Sequence, residues 1–241
     1  RDRPYGPGTF PIGIVPVKTY QCPSDPNGPS SKTRTVSGWG RTFPYAVANY
    51  AASSGPAWFG TSSNGWSSCA CVQSYTYSQP SGRPSFVNNG SFGPLVSTYN
   101  GPNALTPTLT RMKDIADGLS KTFFAGEVLA SQSAALQNGW NALMTGNGDG
   151  ATITSVPLNF DTSNTSGTWS SVQAQDTGGT NGIGCGSWFN EVTTRGFKSA
   201  HVKTCGFAFL DGSVRNFAET IDQWTYVYLS FPWDRKTVNE D

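Results

Sequence analysis

Charge is what this chain has least of. Asp, Glu, Lys and Arg make up 13% of it, about half the usual share. The two signs nearly cancel, leaving a formal net charge of +1. No basic excess is available to neutralise phosphates, which excludes nucleic acid as the main partner. Histidine is scarcer still, with His201 the only one. No Cys-x-x-Cys pair occurs. Cys69-Ala-Cys71 is too closely spaced for an ordinary zinc knuckle, and His201 is the only further imidazole, so the cysteine pattern speaks against structural zinc. No apolar run approaches the length of a membrane-spanning helix, and no signal peptide is visible. The chain begins at Arg1 in a Pro/Gly-rich stretch without an initiator methionine. The expectation is a processed or truncated product that has lost an upstream segment.

Glycine, proline and aromatic residues are what it has in plenty. The 28 glycines and 16 prolines, with abundant Ser, Thr and Asn, mark short strands and many turns. Aromatics at 13%, eight of them tryptophan, make the chain far too apolar to be disordered. Its 241 residues suffice to bury a real core. Low charge with loop-rich, aromatic-rich composition is common in extracellular proteins. The five cysteines, Cys22, Cys69, Cys71, Cys185 and Cys205, leave at least one unpaired within the chain. In an exported protein disulfides are expected. Cys185 with Cys205, and Cys22 with Cys69 or Cys71, are the candidate pairs, and spacing leaves the connectivity open.

Residues 1–30 form an extended Pro-rich segment in which only Phe10 to Tyr20 could be strand. Cys22-Pro23-Ser24-Asp25-Pro26 reads as a turn. Tyr45 to Tyr50 reads as a short strand. Residues 53–103 and 145–187 are loop-rich insertions, the first with strand candidates at Ser74 to Tyr77 and Leu95 to Tyr99. Leu109, Met112, Ile115 and Ala116 allow a short helix or turn that Gly118 ends. Thr122 to Leu129 follows as a strand. Ile221 to Leu229 fits either period, with helix favoured because Asp222 could cap it.

Asp211-Gly212 between two alternating apolar runs signals a β-hairpin. A two-residue type I′ loop would pair Phe209 with Val214 and Phe207 with Asn216. It would bury Phe207, Phe209 and Val214 on one face.

Four groups of residues, taken in order, resemble a bacterial family, the domain of unknown function 1559 with an H-X9-DG C-terminal motif. His201, the nine residues after it, and Asp211-Gly212-Ser213-Val214-Arg215 correspond to the C-terminal motif. Ile115-Ala116-Asp117-Gly118-Leu119-Ser120-Lys121-Thr122, ending in Gly126-Glu127, corresponds to the central one, with Lys121 in place of the usual Asn. Tyr20-Gln21-Cys22-Pro23-Ser24-Asp25-Pro26 and Tyr45 to Tyr50 are similar to the other two. Members of that family resemble secretion pseudopilins and type IV pilins. The resemblance therefore implies a pilin-like globular head and an extracytoplasmic address, without an established reaction. It marks Cys22, Asp117, Gly118, Glu127, His201, Asp211 and Gly212 as structural motif residues. The leader and hydrophobic N-terminal helix usual in the family are not in this sequence. The implied missing helix is the part expected to have been membrane-embedded.

His201 with Asp211 could suggest acid–base work. No nucleophile is identifiable and Asp211 falls at a hairpin tip, so His201 is read as a structural hydrogen-bonding residue. Asn147 and Asp149 stand at the third and fifth positions of a calcium-type loop begun at Thr145. Thr145 opens it and Val156 closes it where acids belong, so a turn is the reading. Calcium is the one cofactor left open. Asp114, Asp117 and Glu127 are read as a solvated face. Asn89-Gly90-Ser91 and Asn164-Thr165-Ser166 are glycosylation acceptors by pattern. Trp39, Trp58, Trp66, Trp169 and Trp188 could form a sugar-stacking surface, though core or inter-subunit packing is favoured.

The resulting expectation is one β-rich α+β domain over residues 1–241, an antiparallel sheet bearing long Gly/Ser/Asn-rich loops. Its expected role is an extracytoplasmic structural subunit at the cell surface, in the periplasm or secreted, assembled with itself or with other proteins. A glycan- or solute-binding module and a hydrolase using His201 with nearby carboxylates are the second and third readings.

Overall fold

The computed structural model describes residues 17–25, 33–38, 41–46, 48–53, 55, 112–132, 151–163 and 193–232. Two sheets are built from them. Strands β1 (Thr33–Gly38) and β2 (Arg41–Ala46) pair antiparallel as a separate ribbon. The main sheet contains β3 (Tyr50–Ser53), β4 (Phe123–Glu127), β5 (Ala151–Thr152), β6 (Thr204–Phe209) and β7 (Val214–Ala218). Its order is β5-β3-β4-β6-β7. The β3-β4-β6-β7 part is antiparallel and the short β5 joins β3 in parallel. The fold is β-rich as expected. Helix is confined, among the described residues, to short 3-10 turns and α1 (Gln223–Ser230). None of the described helices is long and apolar enough to cross a membrane.

The core lies on one face of this sheet. Along β6, Cys205, Phe207 and Phe209 alternate inward and are fully buried. Period-two patterning is what puts them there. Phe123 of β4 is the centre of the cluster. Its ring lies 4.5 Å from Phe207, 5.8 Å from Phe197, 6.0 Å from Tyr226 and 6.1 Å from Phe209. Most of these pairs are tilted or edge-on, the geometry that aromatic quadrupoles favour, worth about 0.5–1.5 kcal/mol each beyond burial. α1 closes the face with Tyr226 and Leu229. It starts where the sequence places it: the Asp222 carboxylate accepts the Thr225 N–H at 2.8 Å, a helix cap worth about 1 kcal/mol.

The hairpin forms at the expected Asp-Gly, but with a different loop. The pairs are Phe207 with Arg215 and Ala208 with Val214, a shift of one residue from the type I′ register. Gly212 N–H donates to the Phe209 carbonyl, Phe209 N–H donates to the Ser213 carbonyl, and only Gly212 of the pair has positive φ, +85°. That is a type I turn followed by a left-handed residue and a bulge, the three-residue solution. Asp211 favours it because its carboxylate accepts both the backbone N–H and the hydroxyl of Ser213, at 2.9 and 2.7 Å. The slip moves Val214 out of the core. It is 73% exposed, and Phe217 packs against the cluster instead.

Two other expectations need correction. Tyr45 to Tyr50 is not one strand: β2 ends at Ala46 and β3 begins at Tyr50. Between them Asn49 uses its side chain to bind backbone elsewhere, the usual way Asn competes with a ladder. Lys18–Tyr20 is a 3-10 turn rather than strand, and residues 10–16 lie outside the described residues. The strand candidates at Ser74 to Tyr77 and Leu95 to Tyr99 also lie outside them. The segment before Gly118 is a single 3-10 turn, Met112–Asp114, and the strand after it is β4.

Candidate functional site

The central strand β4 organises everything the motifs contribute. Its N-terminal end receives the hairpin tip. Leu210 and Asp211 donate their N–H groups to the carbonyls of Thr122 and Leu119, at 2.9 and 3.2 Å. The Arg215 guanidinium donates to the Ser120 carbonyl at 2.9 Å and lies 4.3 Å over the Phe209 ring. Gly118, with φ +95° and ψ 146°, lets the chain turn into this corner, a conformation close to glycine-only. Asp117-Gly118 and Asp211-Gly212 thus mark two turns that dock on each other.

The C-terminal end of β4 carries the chemistry. Glu127, its last residue, is buried. One carboxylate oxygen, Oε2, accepts the Gly206 N–H at 2.8 Å. A Cβ added at Gly206 would stand 3.2 Å from Asn216 Oδ1 and 3.4 Å from this Glu127 oxygen. The other oxygen, Oε1, lies 3.4 Å from His201 Nε2 and 3.9 Å from Cys22 Sγ. Cys22 Sγ and His201 Nε2 are 3.6 Å apart. The three donor atoms form a compact triangle from three distant parts of the chain.

Asn49 sets the thiol in place. Its Oδ1 accepts the Cys22 N–H at 2.9 Å, and its Nδ2 donates to Asp25 Oδ2 at 2.7 Å and the Val128 carbonyl at 3.2 Å. The Cys22–Asp25 turn closes through an Asp25 N–H to Cys22 carbonyl bond. Nearby Tyr50 feels the corner: burial, then Cys22 and Glu127, push its phenol pKa up. Cys205 sits behind, fully buried, its thiol 4.0 Å from the Glu127 carbonyl. Burial, then the Glu127 charge, raise its pKa far above the ordinary value, so it is an inert thiol. Lys198 is also buried, donating Nζ to the carbonyls of Thr193 and Gly196 and its own N–H to the Glu127 carbonyl.

The nine-residue spacing of His201 and Asp211 now has a physical meaning. β6 runs between them, spanning about 17 Å at about 3.4 Å per residue. His201 is therefore at one end of the sheet and Asp211 at the other, so they form no dyad. His201 Nε2 lies instead beside a buried carboxylate and a thiol. Glu127 is not part of a solvated acidic face. It is buried, with the Gly206 N–H on one oxygen and Cys22 and His201 beside the other. Cys22 and Cys205 are both buried free thiols, and the partners suggested for them, Cys69 or Cys71 and Cys185, lie outside the described residues. Cys69, Cys71, Cys185, Asn89, Asn164, Asn147, Asp149 and the tryptophans at 39, 58, 66, 169 and 188 lie outside the described residues. Sequence reasoning missed Asn49, Gly206 and the Cys22–Glu127–His201 contact. The usable signal was that three motifs each contribute one residue with strong ligand chemistry.

Both Cys22 and Glu127 face the same imidazole nitrogen. A thiol–imidazole–carboxylate relay needs the acid and the nucleophile on opposite ring nitrogens. The corner is instead a convergence of three donors on one point.

The fold and this corner define a β-sheet domain whose motif residues brace both ends of its central strand. The chain belongs to the family described as protein of unknown function (DUF1559), whose match covers residues 2–224. Comparison with curated proteins and with solved structures gave no significant match.

Proposed function

We propose that this chain is an extracytoplasmic structural subunit, the pilin-like head of a protein that assembles with itself or with other cell-surface proteins. The observation that carries the reading is the use of the motif residues as braces. Leu210 and Asp211 of the hairpin tip, with Arg215, lock the hairpin to Thr122, Leu119 and Ser120 in the turn before β4. Asn49 and Glu127 tie the Cys22 turn, β4 and β6 together at the other end. Such a sheet is a rigid frame for long surface loops.

The edge of the frame suits assembly. Among the described residues β7 pairs with β6 alone, and Val214 on it is exposed. An open edge presents unpaired backbone groups to another chain. The hydrolase reading has the 3.6 Å thiol–imidazole contact in its favour. It ranks lower because the carboxylate lies on that same nitrogen.

Light scattering and electron microscopy of the native protein test the assembly. Oligomers or filaments are expected, weakened by Val214→Lys, which places a charge on the edge. A native protein that stays monomeric and turns over a defined substrate refutes it.

A further inference from the structure

The geometry points to a zinc-binding site formed by Cys22 Sγ, Glu127 Oε1 and His201 Nε2, with a fourth position open to water. This goes beyond the structural role and is independent of it. Tetrahedral zinc takes sulfur at about 2.3 Å, imidazole nitrogen at about 2.0–2.1 Å and carboxylate oxygen at about 2.0–2.2 Å, which sets its donors about 3.3–3.7 Å apart. The observed edges are 3.4 Å for N to O, 3.6 Å for S to N and 3.9 Å for S to O. The first two match, and a small movement of the thiol closes the third. One face of a zinc tetrahedron is thus already built.

The donor types select the metal. A thiolate and an imidazole favour zinc over calcium or magnesium, which take oxygen. Two of the three donors are held by outer contacts of the kind that orient metal ligands. Glu127 is held single-pronged, since Gly206 N–H occupies Oε2 and leaves Oε1 for the ion. Asn49 anchors the Cys22 backbone. Cys22 and Glu127 are buried while the His201 side chain is 45% exposed, so the open position faces solvent on the histidine side. Three protein ligands plus water is the open arrangement of zinc, not the closed one of four protein ligands. Zinc takes cysteine as the thiolate, so affinity weakens as the pH is lowered.

The test uses the full chain stripped with a chelator and titrated with Co²⁺, then with Zn²⁺ against a competing indicator. One Co²⁺ per chain is expected, with thiolate-to-cobalt charge-transfer absorption and the intense visible bands of four-coordinate cobalt. Cys22→Ser should abolish the charge-transfer band. His201→Ala should weaken Zn²⁺ at least about 100-fold, beyond the 10–100-fold typical of outer-shell changes. His201 is exposed, so this variant keeps the fold, checked by circular dichroism. Zn²⁺ should raise the urea midpoint of the parent and not of His201→Ala. Cobalt uptake without a thiolate band, or Zn²⁺ affinity unchanged in both variants, overturns the site. Rapid His201-dependent alkylation of Cys22 with no metal uptake overturns it in favour of a thiol–imidazole pair.

Discussion

Gly126→Ala probes the packing that positions Glu127. Gly126 lies in ordinary extended strand, one residue before the carboxylate. A Cβ added there would stand 2.6 and 2.7 Å from two ring carbons of Phe207 and 2.8 Å from one of Phe197. Carbon atoms pack at about 3.5–4.0 Å, so each contact is short by nearly an ångström. Neither ring can swing aside: both are fully buried, 5.0 Å apart, and each packs on Phe123 and Tyr226. Overpacking costs about 1–3 kcal/mol, and two immobile rings put this case at the upper end. The relief of strand glycine returns about 0.5–1 kcal/mol. The net expectation is destabilisation by about 2 kcal/mol, a fall of about 4–8 °C in Tm for a chain of this size. Urea unfolding followed by tryptophan fluorescence measures it. Phe207→Leu removes the ring edge that the new methyl meets, so Gly126→Ala/Phe207→Leu should cost clearly less than the sum of the single variants. A Gly126→Ala protein within about 0.5 kcal/mol of the parent, or strict additivity with Phe207→Leu, would refute the close-packing argument.

Two further outcomes follow from the same corner. Asn49→Ala deprives the Cys22 N–H, the Asp25 carboxylate and the Val128 carbonyl of a partner. It should cost about 3 kcal/mol in urea unfolding and speed alkylation of Cys22, whereas a loss below about 1 kcal/mol would mean water replaces the side chain readily. Cys205 gives a pH signature. Its folded pKa is raised above the ordinary 9.0, so above that pH the unfolded chain loses a proton that the folded chain keeps. Stability from this group is intact below 9.0 and falls by about 1.4 kcal/mol per pH unit above it. Unfolding free energies on either side of that pH should therefore diverge between the parent and Cys205→Ala, and equal slopes would contradict the burial argument.

Much of the frame was legible because it rests on local patterns. Alternation marked β6, Asp222 capped α1 and Asp211-Gly212 marked a hairpin. The register was not legible. Asp211 and Gly212 serve a type I′ loop or a bulged type I turn equally well, and the choice rests on where the hairpin tip docks. Leu210 and Asp211 bind Thr122 and Leu119, about 90 residues earlier in the chain, and local propensity has no access to that contact. The same limit hid the role of Asn49, whose side chain joins three segments and so interrupts an otherwise strand-like run.

The sequence by itself determined a low-charge, β-rich domain, its main turns and its family. Those depend on composition, short periodicity and motif order. Only the tertiary structure decided what the motifs hold together. Cys22, Glu127 and His201 are separated by 105 and 74 residues along the chain, yet antiparallel pairing of β4 with β6 and the brace through Asn49 bring their donor atoms within 4.8 Å. The spacing between His201 and Asp211 looked like a dyad because distance along a sequence carries no direction. A strand laid between them sends the histidine to the thiol and the aspartate to the opposite end of the sheet.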